Sequence, residues 1–355
     1  MAILFAAAVT AFLISFLIVP VIIKYSLKKN LVDIPGRRKI HKKITPSMGG
    51  IAIFCGFFIA SLIWIEIPDW NEIKFILVAL FVIFFIGVRD DLVPLAPSIK
   101  LLGQILAVSL LILLFDLRLR SFYGLFGTAE LPTYISYGIT IFTIIIITNS
   151  FNLIDGLDGL AGTLGIISLL AFGTWFSLVG QDIFAVFAFS MAGAIIAFLI
   201  FNWEPSQVFM GDTGAMVIGM LLAIMAIHFI NINYLLPAGS RFKFSASIAP
   251  ATSFIIIPLV DTCRIIILRL WQKKSPFMPD KSHIHHALMR LGLSHSKTTL
   301  LLGTAQLFFI GLVVVLNRIT EPFMTLIIIG TAITLSVVLD KLILKRFVAR
   351  ESEEE

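Results

Sequence analysis

The chain has 355 residues, 59% of them hydrophobic and 14% charged, with a mean hydropathy of +1.02. Those values exclude an ordinary soluble globular protein, and several apolar runs approach the roughly 20 residues that cross hydrocarbon as a helix. The formal net charge of +6 does not point to nucleic acid, because the cations sit in loops flanking apolar runs, where they meet lipid headgroups.

The hydropathy pattern predicts an all-α, polytopic integral membrane protein with about eleven spans. In chain order they are 3–23, 49–65, 73–88, 100–115, 134–148, 160–179, 183–201, 215–230, 246–268, 299–316 and 322–344. Residues 1–344 read as one transmembrane domain. Residues 345–355 read as a charged tail whose acidic end, Glu351–Glu355, is solvated and unstructured. The first run has no basic residue before it and Lys24, Lys28 and Lys29 after it, the reverse of a signal peptide, so it reads as a retained span. The third and fifth runs are short, which fits tilt or partial re-entry. Cys55 and Cys263 lie in apolar runs with no metal-ligand spacing. His228, alone in an apolar span, reads as a core residue.

Loop parity sets the orientation. Loops 24–48, 89–99, 149–159, 202–214, 269–298 and the tail share one side and carry eighteen Lys or Arg. Loops 66–72, 116–133, 180–182, 231–245 and 317–321 carry only Arg118, Arg120, Arg241, Lys243 and Arg318. The positive-inside rule then makes the first set and the C-terminus cytoplasmic and puts the N-terminus outside. Within the second set, residues 116–133, with Gly124 and Gly127 among alternating apolar residues, read as a short hairpin.

Chemistry-bearing residues gather in the first set. Loop 24–48 holds five cations in seven residues, Arg37, Arg38, Lys39, Lys42 and Lys43, around His41. On charge count alone this is a topology-setting patch for anionic lipid, but Pro35, Pro46 and Gly49–Gly50 give it shape. The third span ends in Asp90-Asp91. Acids at a helix C-terminus oppose the macrodipole, so a shared cation or a proton-transfer role would account for them. Lys100 opens the next span, where it either snorkels or binds a phosphate.

Asn149, Asn152, Asp155 and Asp158 recur every three residues, as do Gly156, Gly159, Gly162 and Gly165. That interval lines polar groups along one side of a helical turn and lets a phosphate or a second backbone approach. Two carboxylates at a membrane edge suit a hard divalent cation; the plainer alternative is a polar turn between packed spans. Asp212, between Gly211 and Gly214 just before a span, sits where a helix start takes a phosphate or is capped by the residue's own carboxylate. Asp261 and Arg264 close the ninth span, and His283, His285 and His286 follow. Their spacing is not the i, i+4 zinc pair, so imidazoles that bond to phosphate are the better reading.

Together these loops resemble the polyprenyl-phosphate N-acetylhexosamine-1-phosphate transferase family. The matching pieces are Asp33-Ile-Pro through Gly50, Asp90-Asp91, Asn149 through Gly162, Phe209-Met-Gly-Asp-Thr-Gly214 and Ser275-Pro through His286. The His-Ile-His-His form, with Pro279-Asp280 before it, looks like the branch that uses UDP-N-acetylglucosamine. The branch using a UDP-muramoyl-pentapeptide typically shows three consecutive histidines. The resemblance implies transfer of N-acetylglucosamine 1-phosphate to undecaprenyl phosphate with release of UMP, at the cytoplasmic face of a bacterial plasma membrane. It implies a magnesium ion, with manganese as the alternative, near Asp91 and Asp212. It makes Asp90, Asp91, Asp155, Asp158 and Asp212 the catalytic carboxylates. Asn152, Asp155, Asp158, Asn202, Arg264, His283, His285 and His286 would hold the nucleotide sugar. Lys100, Arg38, Lys39 and His41 would receive the lipid phosphate. It also implies a homodimer.

The competing class is a transporter or flippase of lipid-linked sugars. Transporters carry ionisable groups near the bilayer midplane on broken helices. Here the carboxylates lie at one membrane face and the mid-span regions are nearly free of charge, which favours an interfacial enzyme.

Overall fold

A computed structural model describes residues 1–29, 31–33, 45–66, 70–127, 129–273 and 283–354, with the main chain alone at 32–33, 70–72 and 343–354. Helix α1 (Ala2–Lys29) is followed by a two-stranded antiparallel ribbon, β1 (Val32–Asp33) and β2 (Thr45–Pro46). Then come α2 (Gly49–Trp64), α3 (Trp70–Leu92), α4 (Pro97–Phe115), α5 (Thr133–Ile154), α6 (Leu160–Leu178), α7 (Asp182–Asn202) and α8 (Gly211–Leu235). The chain closes with α9 (Ile248–Ser253), α10 (Ile256–Trp271), α11 (Ile284–Arg290), α12 (His295–Val315) and α13 (Glu321–Glu354). Among the described residues, eight helices are long and apolar enough to cross a membrane: α1, α4, α5, α6, α7, α8, α12 and the 321–342 part of α13. Helix α2 is apolar but has only 16 residues.

A helix that is apolar all round belongs inside a bundle. Helix α8 is the clearest case: 83% of its apolar window is buried, against 17% for α13. It packs against α5, α3 and α2, with α7 and α6 completing the shell and α1 lying over α7 and α2. Two close crossings fix the start of α8. A Cβ on Gly50 would lie 2.1 Å from Gly214 N, and one on Gly87 would lie 2.4 Å from Thr213 Cα. Small residues at such crossings let backbones approach. Here they bring α2 and the last turn of α3 against the first turn of α8.

The expected spans are found as helices with three differences. First, α5 runs on to Ile154, so Asn149 and Asn152 ride on a helix and the connecting turn is only 155–159. Second, the ninth span is not continuous. It breaks at Phe254–Ile255 into α9 and α10, with Pro250 and Pro258 on either side. Backbone groups freed inside a bundle must find partners. Gln306 of α12 supplies them: its Nε2 donates to Phe254 O and its Oε1 accepts from Ile257 N at 3.2 Å. Glu321 caps the other end of α9, accepting from Ser247 N, from Ile248 N at 2.8 Å and from Ala249 N at 2.8 Å. Third, the acidic tail continues α13 as helix to Glu354, in keeping with the helix propensity of Ala, Arg and Glu.

The third and fifth spans, read as short, are full helices of 23 and 22 residues. The 116–133 segment forms the expected hairpin in minimal form, with one antiparallel bridge between Ser121 and Glu130 and Gly124 N donating to Gly127 O at 3.1 Å. His228 is a satisfied core residue, stacked on Phe184 and bonded to Gln181 Oε1 at 2.9 Å. Replacing Gln306 with leucine keeps the side-chain volume but strands the backbone groups at the α9–α10 break. The expected loss is about 1–3 kcal/mol, read as a lower thermal midpoint of the purified protein in detergent; an unchanged midpoint would show that the break does not depend on Gln306.

Candidate active site

The site is assembled from the ends of four helices. Asp90 and Asp91 end α3, Lys100 opens α4, Asn152 lies in the last turn of α5, Asp155 follows it, and Asp212 is the second residue of α8. Lys100 Nζ stands between two carboxylates: it lies 2.5 Å from Asp90 Oδ2 and is also paired with Asp212 Oδ2. Asp212 Oδ1 accepts from Asn152 Nδ2 at 2.9 Å. Asp90 Oδ1 accepts from Leu95 N at 2.6 Å, which closes the α3–α4 turn onto it. Below this layer Gln104 and Asn149 form a reciprocal amide pair at 3.0 and 3.1 Å.

Asp91 lies against the start of α8, next to Asp212. Its Oδ1 accepts from Asp212 N at 2.8 Å, and its Oδ2 accepts from Thr213 N at 3.1 Å and Thr213 Oγ1 at 2.5 Å. The carboxylate therefore fills the anion site that the start of α8 offers. Asp212 does not cap its own helix; Asp91 does so from α3, and Asp212 is left pointing at Lys100 and Asn152.

The turn 155–159 separates two aspartates with opposite environments. Asp155 has no hydrogen-bonded or ion-paired side-chain partner among the described residues. Burial pushes it up to about 7, and the charges of Asp212, Asp91 and Asp158 add to the rise. Asp158 is fully engaged: Oδ1 accepts from Ser206 Oγ at 2.9 Å, and Oδ2 accepts from Ser206 N at 3.2 Å and lies 3.4 Å from His295 Nδ1. Burial works against its ionisation, but the His295 ring and the Ser206 donors hold it below the usual carboxylate range. Asn202 is buried beside it, accepting from Gly159 N at 2.9 Å and donating to Val208 O at 2.8 Å. Both ends of that amide are used inside the protein, so Asn202 braces the turn against the 203–210 loop. Glu204 completes the brace by accepting from Ser296 N and Ser296 Oγ, each at 2.8 Å, at the start of α12.

The histidine helix α11 docks on the same region. Asp261 of α10 accepts from His283 Nδ1 at 2.9 Å and from Ile284 N at 2.8 Å, so one buried carboxylate orients the first histidine and caps the helix. The His285 ring lies against Gly156: a Cβ there would be 2.7 Å from Nε2. Burial, with the neighbouring His286 and His283, lowers His285 to about 3, so it is neutral. His286 stands beside it, ring centroids 4.4 Å apart. Arg264, one turn beyond Asp261 on α10, is paired with Asp340 of α13 at 2.5 Å.

Arg38, Lys39 and His41, with Pro279 and Asp280, lie outside the described residues. The base of the basic loop is described: β2 sits beside the 207–209 strip, where Phe209 N donates to Pro46 O at 2.7 Å. Of the site residues, His295, Ser206 and Glu204 carried no clear sequence signal, and Asp261 was noted without its part in orienting His283. Ser294, which caps α12 by accepting from Lys297 N, is the one local cue to where that brace begins.

At the Asp90–Lys100–Asp212 end two carboxylates hold one lysine, and their oxygens are hard donors. Among the described residues no three His, Cys, Asp or Glu side chains form a ready-made metal cage. Oxygens of this kind could hold a magnesium ion, which takes one or two carboxylates together with waters and substrate phosphates.

Residues 73–230, which contain Asp90, Asp91, Lys100, Asp155, Asp158 and Asp212, match the model of glycosyl transferase family 4. The chain is 32% identical over 317 residues to a Bacillus subtilis protein named "Probable undecaprenyl-phosphate N-acetylglucosaminyl 1-phosphate transferase", covering 88% of this chain and 86% of that one. It is 32% identical to proteins named undecaprenyl-phosphate alpha-N-acetylglucosaminyl 1-phosphate transferase in Salmonella typhi, covering 81% and 77% of the two chains, and in Escherichia coli K12, covering 86% and 82%. Similarity that runs through nearly the whole of both chains, and takes in the carboxylate cluster, leaves one conclusion: this chain belongs to glycosyl transferase family 4.

Proposed function

We propose that the chain transfers N-acetylglucosamine 1-phosphate from UDP-N-acetylglucosamine to undecaprenyl phosphate, giving undecaprenyl-diphosphate-N-acetylglucosamine and UMP, the first membrane step of a cell-envelope polysaccharide. The observation that carries this reading is the Asp90–Lys100–Asp212 bridge with the unpartnered Asp155 beside it, in a chain whose near-full-length relatives are named for transfer to undecaprenyl phosphate. An oxygen of the lipid phosphate attacks the sugar-bound phosphorus. The bond from that phosphorus to the oxygen bridging it to UMP breaks, and UMP leaves with the electron pair. Such a transfer asks the protein mainly for positioning and charge neutralisation.

Lys100 is the cation that meets the lipid phosphate. Asp90 and Asp212 hold its ammonium in place from two sides. A phosphate monoester, with a second pKa of about 6, is already mostly dianionic at neutral pH, so Asp90 orients Lys100 and needs to remove no proton. Magnesium fits Asp212, Asp155 and the lone pair left on Asp91, and when bound it would neutralise charge on the donor diphosphate; manganese fits the same oxygens. His283 and His286, aimed by Asp261 and the α11 helix, supply donors to the nucleotide-sugar side, with Arg264 behind them. His285 serves this side by packing, as the neutral ring that seats α11 on Gly156. The prenyl chain lies among the spans with its phosphate at the cationic end.

The same reading sets the topology. Helices α1–α8, the broken α9–α10 pair, α12 and α13 make eleven crossings, and α11 lies in the loop between two of them. The cation-rich end of the bundle faces the cytoplasm of a bacterial plasma membrane and the N-terminus faces out.

Asp212→Asn should lower UMP release at least about 100-fold, the scale for removing one group that stabilises transition-state charge, with the thermal midpoint retained; near-wild-type turnover would remove Asp212 from the chemistry. In steady-state kinetics Lys100→Met should raise KM for undecaprenyl phosphate far more than KM for UDP-N-acetylglucosamine, and equal effects on both would count against its lipid role. Gly156→Ala, which crowds His285, should do the reverse. Its mark is weaker nucleotide-sugar binding at unchanged lipid KM, and a variant with both KM values unchanged would show that α11 does not serve the donor.

A further inference from the structure

At the end of the bundle opposite the carboxylates, α6, α12 and the 241–244 segment enclose a cavity of about 360 Å³. Trp175, which lines it, is fifteen residues along α6 from Leu160, about 23 Å at 1.5 Å per residue. The cavity is therefore separate from the catalytic end. Its volume lies within the range of small-molecule sites, and its walls are apolar: Trp175, Leu178, Phe244, Phe254, Ile310 and Val314. Leu178 and Val314 are also exposed, so the groove opens sideways toward the region that lipid chains occupy around a membrane bundle.

The mouth of the groove is cationic. Arg241 and Lys243 line it, and Arg318 follows Asn317, which also lines it. The loops at this end carry five cations in all. Arg118 and Arg120 are both neutralised by Asp116, at 2.8 and 2.6 Å. Arg241, Lys243 and Arg318 have no carboxylate partner among the described residues, and Arg241 and Lys243 line this groove. The nearby Glu321 is committed to the backbone N–H groups of α9. The rim is also built: Trp175 Nε1 donates to Phe242 O at 2.9 Å, Lys243 Nζ donates to Tyr234 O at 3.1 Å and to Leu236 O, and the Arg241 guanidinium lies 5.5 Å from the Phe242 ring centroid.

An apolar slot that opens toward lipid, with unneutralised cations at headgroup level, is complementary to an amphiphile with an anionic head. We infer that this groove binds an anionic phospholipid of the leaflet opposite the active site, with an acyl chain against Trp175, Phe254 and Ile310 and the phosphate at Arg241 and Lys243. The site is independent of the catalytic reading and stands or falls without it.

The test titrates the purified full chain in detergent with phosphatidylglycerol or phosphatidylcholine and counts retained lipid by native mass spectrometry. The wild-type chain should retain one phosphatidylglycerol about tenfold or more tightly than phosphatidylcholine, on the scale of two interfacial cations. Arg241→Gln with Lys243→Gln should reduce phosphatidylglycerol to the phosphatidylcholine level. Ile310→Trp, which fills the slot, should weaken both lipids. Because Lys243 also ties down the end of α8, Arg241→Gln alone serves as the milder variant, and UMP release should be unchanged in it. Equal retention of the two lipids by the wild-type chain, or undiminished phosphatidylglycerol binding in Arg241→Gln, would overturn the proposal. So would undecaprenyl phosphate displacing phosphatidylglycerol from the groove at lower concentration.

Discussion

The carboxylate of Asp91 seated on the first turn of α8 is the contact from which the rest of the site follows. A helix N-terminus in a low-dielectric bundle has unsatisfied N–H groups and partial positive charge, and an anion there is stabilised by both. The anion comes from the C-terminal end of α3, where its own helix disfavours it. Joining the two ends gives the N–H groups an acceptor and the carboxylate donors that offset part of the cost of its burial. The contact requires the backbones to touch, and Gly87, one helical turn before Asp91, allows that by leaving room for Thr213. Once α3 and α8 are locked in this register, Asp90 and Asp212 must lie on the same side, and Lys100 at the start of the next helix is drawn between them.

A second set of contacts holds the turn after α5. Asp158, Asn202, Ser206, Glu204 and His295 link the 155–159 turn, the 203–210 loop and the start of α12 through short polar contacts. The Asp158 and Asn202 bonds give partners to groups buried in the turn, and the Glu204–Ser296 bonds tie the exposed edge. The result is a rigid floor under Gly156, on which the His285 ring and the histidine helix rest. The lipid half of the site is thus set by α3, α4 and α8. The donor half is set by the turn, α10 and α11. Asp155 stands between the halves.

Much of this was legible in the sequence, for a physical reason. A bilayer forces long apolar runs, so the apolar helices are written in local composition. Carboxylates and histidines that recur in loops of one parity stand out because charge at a membrane edge is costly. What was not legible depends on pairs far apart in the chain. Asp212 read either as a cap of its own helix or as the neighbour of a bound phosphate because the pattern is local, whereas the cap comes from Asp91, 121 residues earlier. The break in the ninth span is invisible in hydropathy because every residue there is apolar; it is tolerated because Gln306, about 50 residues later, satisfies the freed backbone groups. Asn202 was named through the family resemblance alone; its bonds to Gly159 N and Val208 O leave no local trace in the sequence.

The two aspartates of the turn show how environment assigns work to residues of one type. Asp155 and Asp158 share a spacing, a turn and a charge, and no sequence rule separates them. Ser206 and His295 satisfy every oxygen of Asp158 and keep it ionised, which makes it a strut. Burial beside three other carboxylates, with no donor of its own, pushes Asp155 toward neutrality. Both aspartates therefore depend on what the fold places around them: Asp158 is held by Ser206 and His295, and Asp155 has no side-chain donor among the described residues.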